Sequence, residues 1–148
     1  MRRLSYLVIR CVFLVLVTAS AVVRADDQDV IDYRTHVMKT MGEQVAAISQ
    51  ILEQKAPADN FAVHIEILAI AAATAKKAFE PNVPGGEAKA DVWAHWQDFA
   101  RRLDDLTSAT AGLAKTALSG GVAAAQPKLQ AALTCKSCHD TYRVEKKK

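Results

Sequence analysis

The chain has 148 residues, enough for one domain around one hydrophobic core. Its formal charge of +3 comes from 19 basic and 16 acidic residues, but four of the basic residues and none of the acidic ones lie in the first 25. Without that segment the net charge is −1, which gives no basis for predicting nucleic-acid binding.

The first 25 residues have the pattern of a secretory signal peptide. Two arginines precede an apolar region at residues 11–17, and Val23-Arg24-Ala25 suits cleavage before Asp26, with Ala21 as a second cleavage position. The apolar stretch 11–23 is shorter than the ~20 residues of a spanning helix. We therefore predict a cleaved signal at 1–25, no stable membrane anchor and a mature domain at 26–148.

The first half of the mature chain contains two segments with apolar residues at the helical period. One covers Val30 to Leu52; three aspartates at positions 26, 27 and 29 open it, and Pro57 ends it. The next runs from Asp59 as its cap to Phe79. It is apolar on most faces, so it should be the most buried helix.

Two further helical segments follow a turn rich in proline and glycine. The third begins near Ala88 and ends at Gly120-Gly121. The fourth begins near Gln126-Pro127 and continues through the last cysteines. There is no alternating strand pattern. Four helices with short connections predict an all-α, antiparallel four-helix bundle with a cofactor between facing helices.

A Cys-x-x-Cys-His motif stands near the C-terminus, as Cys135-Lys136-Ser137-Cys138-His139. This spacing is typical of covalent attachment of one haem c, in which both thiols form thioethers with the haem vinyl groups. His139 lies one helical turn after Cys135, so its imidazole can bind the iron from the same side.

Other interpretations of the motif fit less well. A zinc site needs four ligands, and the remaining cysteine, Cys11, lies in the predicted signal peptide. A redox dithiol would be expected in a βαβ setting, which is missing from the sequence pattern. A disulfide between Cys135 and Cys138 would leave His139 without a role.

The placement of this motif at the end of a helical chain resembles the cytochrome c-prime family, the class II cytochromes c. The closing segment, from Cys135 to Tyr142-Arg143, is similar to that of the family. Tyr33-Arg34 followed by Met38 resembles its first helix, and Val92-Trp93 resembles the start of its third. The resemblance covers residues 27–148.

The resemblance implies a periplasmic four-helix bundle with one covalent haem, often a homodimer through the first two helices. It also implies that Arg34 lies near the haem propionates and that Met38 faces the distal side of the iron. Arg34, Met38 and Met41 share one helix face, and a guanidinium can bind a carboxylate through two hydrogen bonds. Methionine on such a face is also a common core residue, and Met41 is the competing candidate for the sixth ligand.

Members of this family with methionine at the distal position tend to be low-spin electron carriers, as in the c-556 type. We therefore predict a periplasmic one-electron carrier with His139 and Met38 as iron ligands, which exchanges electrons with periplasmic redox proteins. The alternative is a high-spin protein that binds nitric oxide or carbon monoxide. An enzyme is not predicted, because the face of Arg34, Met38 and Met41 offers no acid or base.

Overall fold

The computed structural model describes residues 26–145, so the predicted signal peptide lies outside the described residues. Five α-helices follow one another in these residues: α1 (Asp27–Leu52), α2 (Phe61–Phe79), α3 (Asp91–Ala94), α4 (Trp96–Ala132) and α5 (Cys135–Tyr142), with a short 3-10 helix at Ala58–Asn60 before α2. The described part of the chain has no β-strand beyond two isolated bridges. The predicted all-α fold is confirmed.

Helix α4 is in fact two helices joined at a glycine. Gly121 has φ 61° and ψ −154°, which is not a helical conformation and divides the element into 96–120 and 122–132. The second of these and α5 together form the fourth helix of the bundle, after α1, α2 and the first part of α4. The predicted break at Gly120-Gly121 is therefore confirmed.

The start of α1 is fixed by a reciprocal cap. The Asp26 carboxylate accepts a hydrogen bond from the Asp29 amide at 2.8 Å, and the Asp29 carboxylate accepts one from the Asp26 amide at 3.1 Å. These bonds satisfy amides that no helical carbonyl can reach. The acidic opening of this helix was predicted from the sequence.

Helix α2 packs closely on both α1 and α4 and is the central helix of the bundle. By length and composition alone the stretch 58–79 could also cross a membrane, but α2 lies between α1 and α4 and packs on both. The prediction that it is the most buried of these helices is confirmed, since 8 of its 19 residues are buried. One of its faces exposes three large apolar side chains: Val63, Ile67 and Ile70.

The third and fourth predicted helices differ from the structure at their ends. The third opens with the short α3 and is interrupted at His95, whose φ of −121° and ψ of 41° are not helical. The fourth begins before Pro127, which lies inside α4, and it is interrupted again at Leu133. This second interruption makes α5 a separate helix of 8 residues that begins at Cys135.

The loop between α2 and α3 joins α1 to α5 at one end of the bundle. Gly85 lies against Ile31 of α1; a Cβ on this glycine would come within 2.8 Å of the Ile31 side chain. On the other side of the loop, the Lys89 amide donates to the Tyr142 carbonyl at 3.0 Å. The Val144 amide donates to the Glu87 carbonyl at 2.8 Å. We call this end of the bundle the loop end.

Candidate haem site

Helix α5 carries the three residues of the predicted haem motif. Cys135 is its first residue, and Cys138 and His139 follow within the next turn. Both cysteines are free thiols, and all three side chains are half-buried. Two free thiols that have not formed a disulfide are what thioether formation requires.

The surroundings of α5 favour neutral forms of these groups. Burial raises the pKa of the Cys135 and Cys138 thiols above their ordinary value. Burial, and then the positive charge of Arg143, lowers the pKa of His139. A neutral imidazole is the form that binds haem iron.

Arg34 is almost completely buried, with 3% of its surface exposed. Its Nη1 donates to the Val83 carbonyl at 2.6 Å, and its Nη2 donates to the Gly85 carbonyl at 2.7 Å. Its guanidinium carbon also lies 5.6 Å from the ring centre of Phe79 and 5.1 Å from that of Trp93. Arg34 thus fastens the loop to α1, a role that the sequence did not predict.

In the described part of the chain, no carboxylate pairs with the buried charge of Arg34. Within residues 26–145, none of the ion pairs includes its guanidinium, and burial lowers its pKa. Two of its five N–H groups are used by carbonyls, so the others can still donate. A buried cation of this kind fits an anionic group of a cofactor, such as a propionate.

The two methionines of α1 have different environments. Met41 is buried, with 8% of its surface exposed, and belongs to the hydrophobic core. Met38 is half-buried and packs against the edge of that core. Met38 is therefore the more accessible of the two sulfurs to a group outside the core.

Met38 and His139 are each four residues from a residue that contacts the loop. Met38 is four residues beyond Arg34, which bonds to the loop. His139 is four residues before Arg143, which pairs with Ala88 of the loop in an isolated bridge. Four helical residues span ~6 Å, so each of the two stands about one turn from the residue of its helix that contacts the loop. Their helices α1 and α5 meet the same loop but do not pack closely on each other.

Sequence reasoning missed a polar cluster that joins α4 to α5. The Asp98 carboxylate accepts hydrogen bonds from the Tyr142 hydroxyl at 2.7 Å and from Arg102 Nε at 2.6 Å. Arg102 also donates through Nη1 to the Ser137 carbonyl at 3.3 Å, between the two cysteines. Asp98 and Tyr142 are 44 residues apart, and no short motif links them.

Aromatic side chains connect the Arg34 region with α5. The ring centres of Phe79 and Phe99 are 5.1 Å apart, and those of Phe99 and Tyr142 are also 5.1 Å apart. Trp96 lies 5.9 Å from Phe99. Trp96 and Phe99 are therefore packing residues.

Two open surface hollows of about 460 and 590 Å³ flank Trp93 and Trp96. Neither is lined by Met38 or by a residue of α5, so they give no information on the haem site. The part of the chain that the structure describes also has no cluster of three or more His, Cys, Asp or Glu side chains placed to hold a metal ion.

Comparison with known proteins places these observations in a family. A family model described as cytochrome C′ matches residues 29–143. A cytochrome c′ from Pararhodospirillum photometricum is 32% identical over 125 residues, which cover 80% of this chain and 99% of that protein. A cytochrome c-556 from Agrobacterium fabrum is 32% identical over 123 residues, which cover 78% of this chain and 82% of that protein.

Solved structures with the same fold include variants of cytochrome c prime from Alcaligenes xylosoxidans. A ferrous variant with bound nitric oxide has a TM-score of 0.75 and 23% identity, and covers 83% of this chain and 99% of that chain. A variant with bound carbon monoxide has a TM-score of 0.74 and 23% identity, with coverage of 82% and 98%. At this level of identity the likeness is one of fold.

Proposed function

The chain belongs to the cytochrome c′ family, and on that premise we propose that it is a periplasmic one-electron carrier with His139 and Met38 as the axial ligands of its haem. The family carries one covalently attached haem per chain, and this is the cofactor of the protein. When bound, this haem supplies the one-electron change between ferric and ferrous iron.

The equal spacing of Met38 and His139 from the loop-contacting residues Arg34 and Arg143 is the observation that supports this proposal. The two residues stand on helices that meet the same loop without packing closely on each other. A planar cofactor between these helices would have one residue on each side of its iron. A thioether and an imidazole together favour low-spin iron and raise its reduction potential.

The other residues of the site hold the cofactor. The thiols of Cys135 and Cys138 would hold the haem, each by addition to one vinyl group with sulfur on one carbon and hydrogen on the other, which needs no external oxidant. Arg34 donates to a propionate with the N–H groups that the loop carbonyls leave available. The loop end thus fixes the thioethers and the propionate relative to each other.

A spectrum in both redox states tests the ligand assignment. We expect low-spin bands and, in the oxidised protein, the weak near-infrared band of sulfur-to-iron charge transfer. Met38→Ala should remove this band, give a high-spin spectrum and allow carbon monoxide to bind. Met41→Ala is the matched control: it should keep the spectrum but lower the free energy of unfolding by ~2–5 kcal/mol, because it leaves a cavity in the core. A wild-type protein that is high-spin and binds carbon monoxide rapidly would contradict the proposal.

That contrary result would support the second candidate function, binding of a diatomic gas. Its specific support is that variants of the Alcaligenes protein with the same fold have been solved with nitric oxide and with carbon monoxide. In this alternative Met38 packs beside an open iron site and does not bind the metal.

Export belongs to the same proposal. We propose that the signal at 1–25 is removed in the periplasm and that the mature domain 26–148 exchanges electrons with periplasmic redox proteins. The intact mass of the purified protein should equal the chain from Asp26, or from Val22, plus one haem. A mass that retains residues 1–25 would contradict cleavage and favour a retained anchor.

We also propose a homodimer that uses the exposed face of α2. Val63, Ile67 and Ile70 recur at helical spacing and are 49%, 38% and 63% exposed. A second copy would cover this apolar surface. Ile70→Lys should shift the molar mass measured by light scattering from dimer to monomer, whereas Leu118→Lys, at a side chain 62% exposed on α4, should not. A monomeric wild-type protein at high concentration would contradict this proposal.

A further inference from the structure

Helix α5 depends on a few contacts for its orientation. It has 8 residues, begins without a side-chain cap, and buries only Tyr142. A helix this short is not stable by itself in water. The contacts that fix the two ends of α5 therefore set the direction of the His139 side chain.

The polar cluster on α4 contacts α5 near both ends. Tyr142, the last residue of α5, is 5% exposed and donates its hydroxyl proton to Asp98. The Ser137 carbonyl, in the first turn, accepts from Arg102, and Arg102 is itself held by the Asp98 carboxylate. The Arg102 guanidinium also lies 5.6 Å from the ring centre of Tyr142. The contacts at both ends of α5 therefore depend on the Asp98 carboxylate.

We propose that Asp98 is a positioning residue for the haem-binding helix: through Tyr142 and Arg102 it fixes the orientation of α5 and so of the His139 imidazole. Groups that orient a metal ligand are known to tune the metal although they do not touch it. The cluster has a stable protonation state, because the pKa of Asp98 is lowered to about 2 and that of Tyr142 is raised to about 12. The orientation of α5 should thus be constant over the working pH range.

Electron paramagnetic resonance of the ferric holoprotein tests this inference, because the g-values respond to rotation of the axial imidazole in both high-spin and low-spin haem. We expect Tyr142→Phe and Asp98→Asn to shift the g-values. Tyr142→Phe keeps the ring and the formal charge, so its g-values report the position of the imidazole without a change of net charge. Asp98→Glu, which keeps the charge and can reach the same donors, should restore the wild-type signal in part.

Asp104→Asn is the matched control. It removes the same charge from α4, but its carboxylate bonds to Lys76 of α2 and is 57% exposed. It should leave the g-values unchanged. If Tyr142→Phe and Asp98→Asn lower the melting temperature while their g-values match those of the control, the cluster only stabilises the fold and the inference is wrong.

The inference rests on the proposed ligation by His139, and the two can fail separately. If His139 does not bind the iron, His139→Ala leaves the wild-type spectrum intact. If only the positioning role is wrong, His139→Ala destroys the spectrum while the Asp98 and Tyr142 variants retain it. Tyr142→Phe preserves the packing of the ring, so it keeps the test available if Asp98→Asn fails to fold.

Discussion

The hydrogen bond between Tyr142 and Asp98 links two ionisable groups whose pKa values move apart. The bond from Tyr142, followed by that from Arg102, lowers the pKa of Asp98 from 3.8 to about 2. Burial, followed by the same bond, raises the pKa of Tyr142 from 10.0 to about 12. Each shift means that one protonation state stabilises the fold more than the other.

The sign of each shift gives a pH range for stability. The Asp98 carboxylate has a lower pKa in the folded state, so its contribution is present above about pH 4 and is lost as the pH falls towards 2. The Tyr142 hydroxyl has a higher pKa in the folded state, so its contribution is present below pH 10 and is lost as the pH rises through about 12. Between these limits the pair stabilises the protein uniformly.

Tyr142→Phe should remove the contribution of this hydrogen bond throughout that range. We expect the variant to be less stable than wild type at pH 7, with the difference shrinking below pH 4 and above pH 10. Urea unfolding at pH values from 2 to 12 measures this difference in stability. Tyr33→Phe, at an exposed residue of α1, should leave the pH profile unchanged. A difference that stays constant across the whole range would show that the effect is one of packing.

Residues with a fixed local spacing were predictable, and residues joined by the fold were not. Cys135, Cys138 and His139 form one motif, so the sequence alone indicates their chemistry. The partner of Tyr142 is 44 residues away and depends on how α4 packs on α5. The carbonyl partners of Arg34 are equally invisible to pattern reasoning, because any residue has a carbonyl group.

At the scale of elements, the period of apolar residues predicted the helices better than their ends. The four segments are present, since amphipathic periodicity reports which face packs on the core. The observed helix ends differ from the predicted ones because local sequence signals conflict with packing. The sequence predicts that Pro127 lies in a first turn, yet the helix begins earlier and includes it. The sequence around Leu133 contains no glycine or proline that would predict the interruption there.

Gly121 is the position at which backbone conformation decides an element. Its φ of 61° with ψ of −154° lies where a side chain other than hydrogen is strained. Gly121→Ala should lower the free energy of unfolding by ~1–3 kcal/mol, although a Cβ there would have no atom within 4 Å. The cause is strain of the backbone, and thermal or urea unfolding measures it.

Gly112→Ala supplies the matched comparison on the same element. Gly112 is helical, and a Cβ on it would also have no neighbour within 4 Å. Alanine there should raise the free energy of unfolding by ~0.5–1 kcal/mol, because glycine is less favourable inside a helix. If both variants were equally stable, the conformation at Gly121 would not be what separates the two helices.

At the scale of the whole molecule, the cofactor and the loop end depend on each other. The loop bonds to α1 through Arg34 and to α5 through main-chain bonds, while α1 and α5 do not pack closely on each other. A haem bound between these helices would add the contacts that they do not make directly. Its attachment should therefore stabilise the bundle, because a group that binds the native state alone shifts the folding equilibrium.

A double-mutant cycle separates the two roles of Arg34. Replacing both thiols, as Cys135→Ala with Cys138→Ala, gives the chain without attached haem. In that background Arg34→Gln removes the bonds to the Val83 and Gly85 carbonyls but also removes a buried charge that has no carboxylate partner within residues 26–145. In the holoprotein the same substitution additionally removes the proposed propionate partner. The loss of unfolding free energy caused by Arg34→Gln should therefore differ between the holoprotein and the haem-free chain.

We expect Arg34→Gln to cost more stability in the holoprotein than in the haem-free chain, by ~1.5–3 kcal/mol, the range for a hydrogen bond to a charged group. Urea unfolding of the four proteins gives this coupling energy directly. Lys89→Gln serves as a control, because Lys89 Nζ lies at the same loop end but contacts the Asp140 and Thr141 carbonyls of α5 at 3.4 and 3.2 Å. A coupling energy near zero for Arg34, equal to that for Lys89, would mean that Arg34 serves the loop alone and that the propionate has another partner.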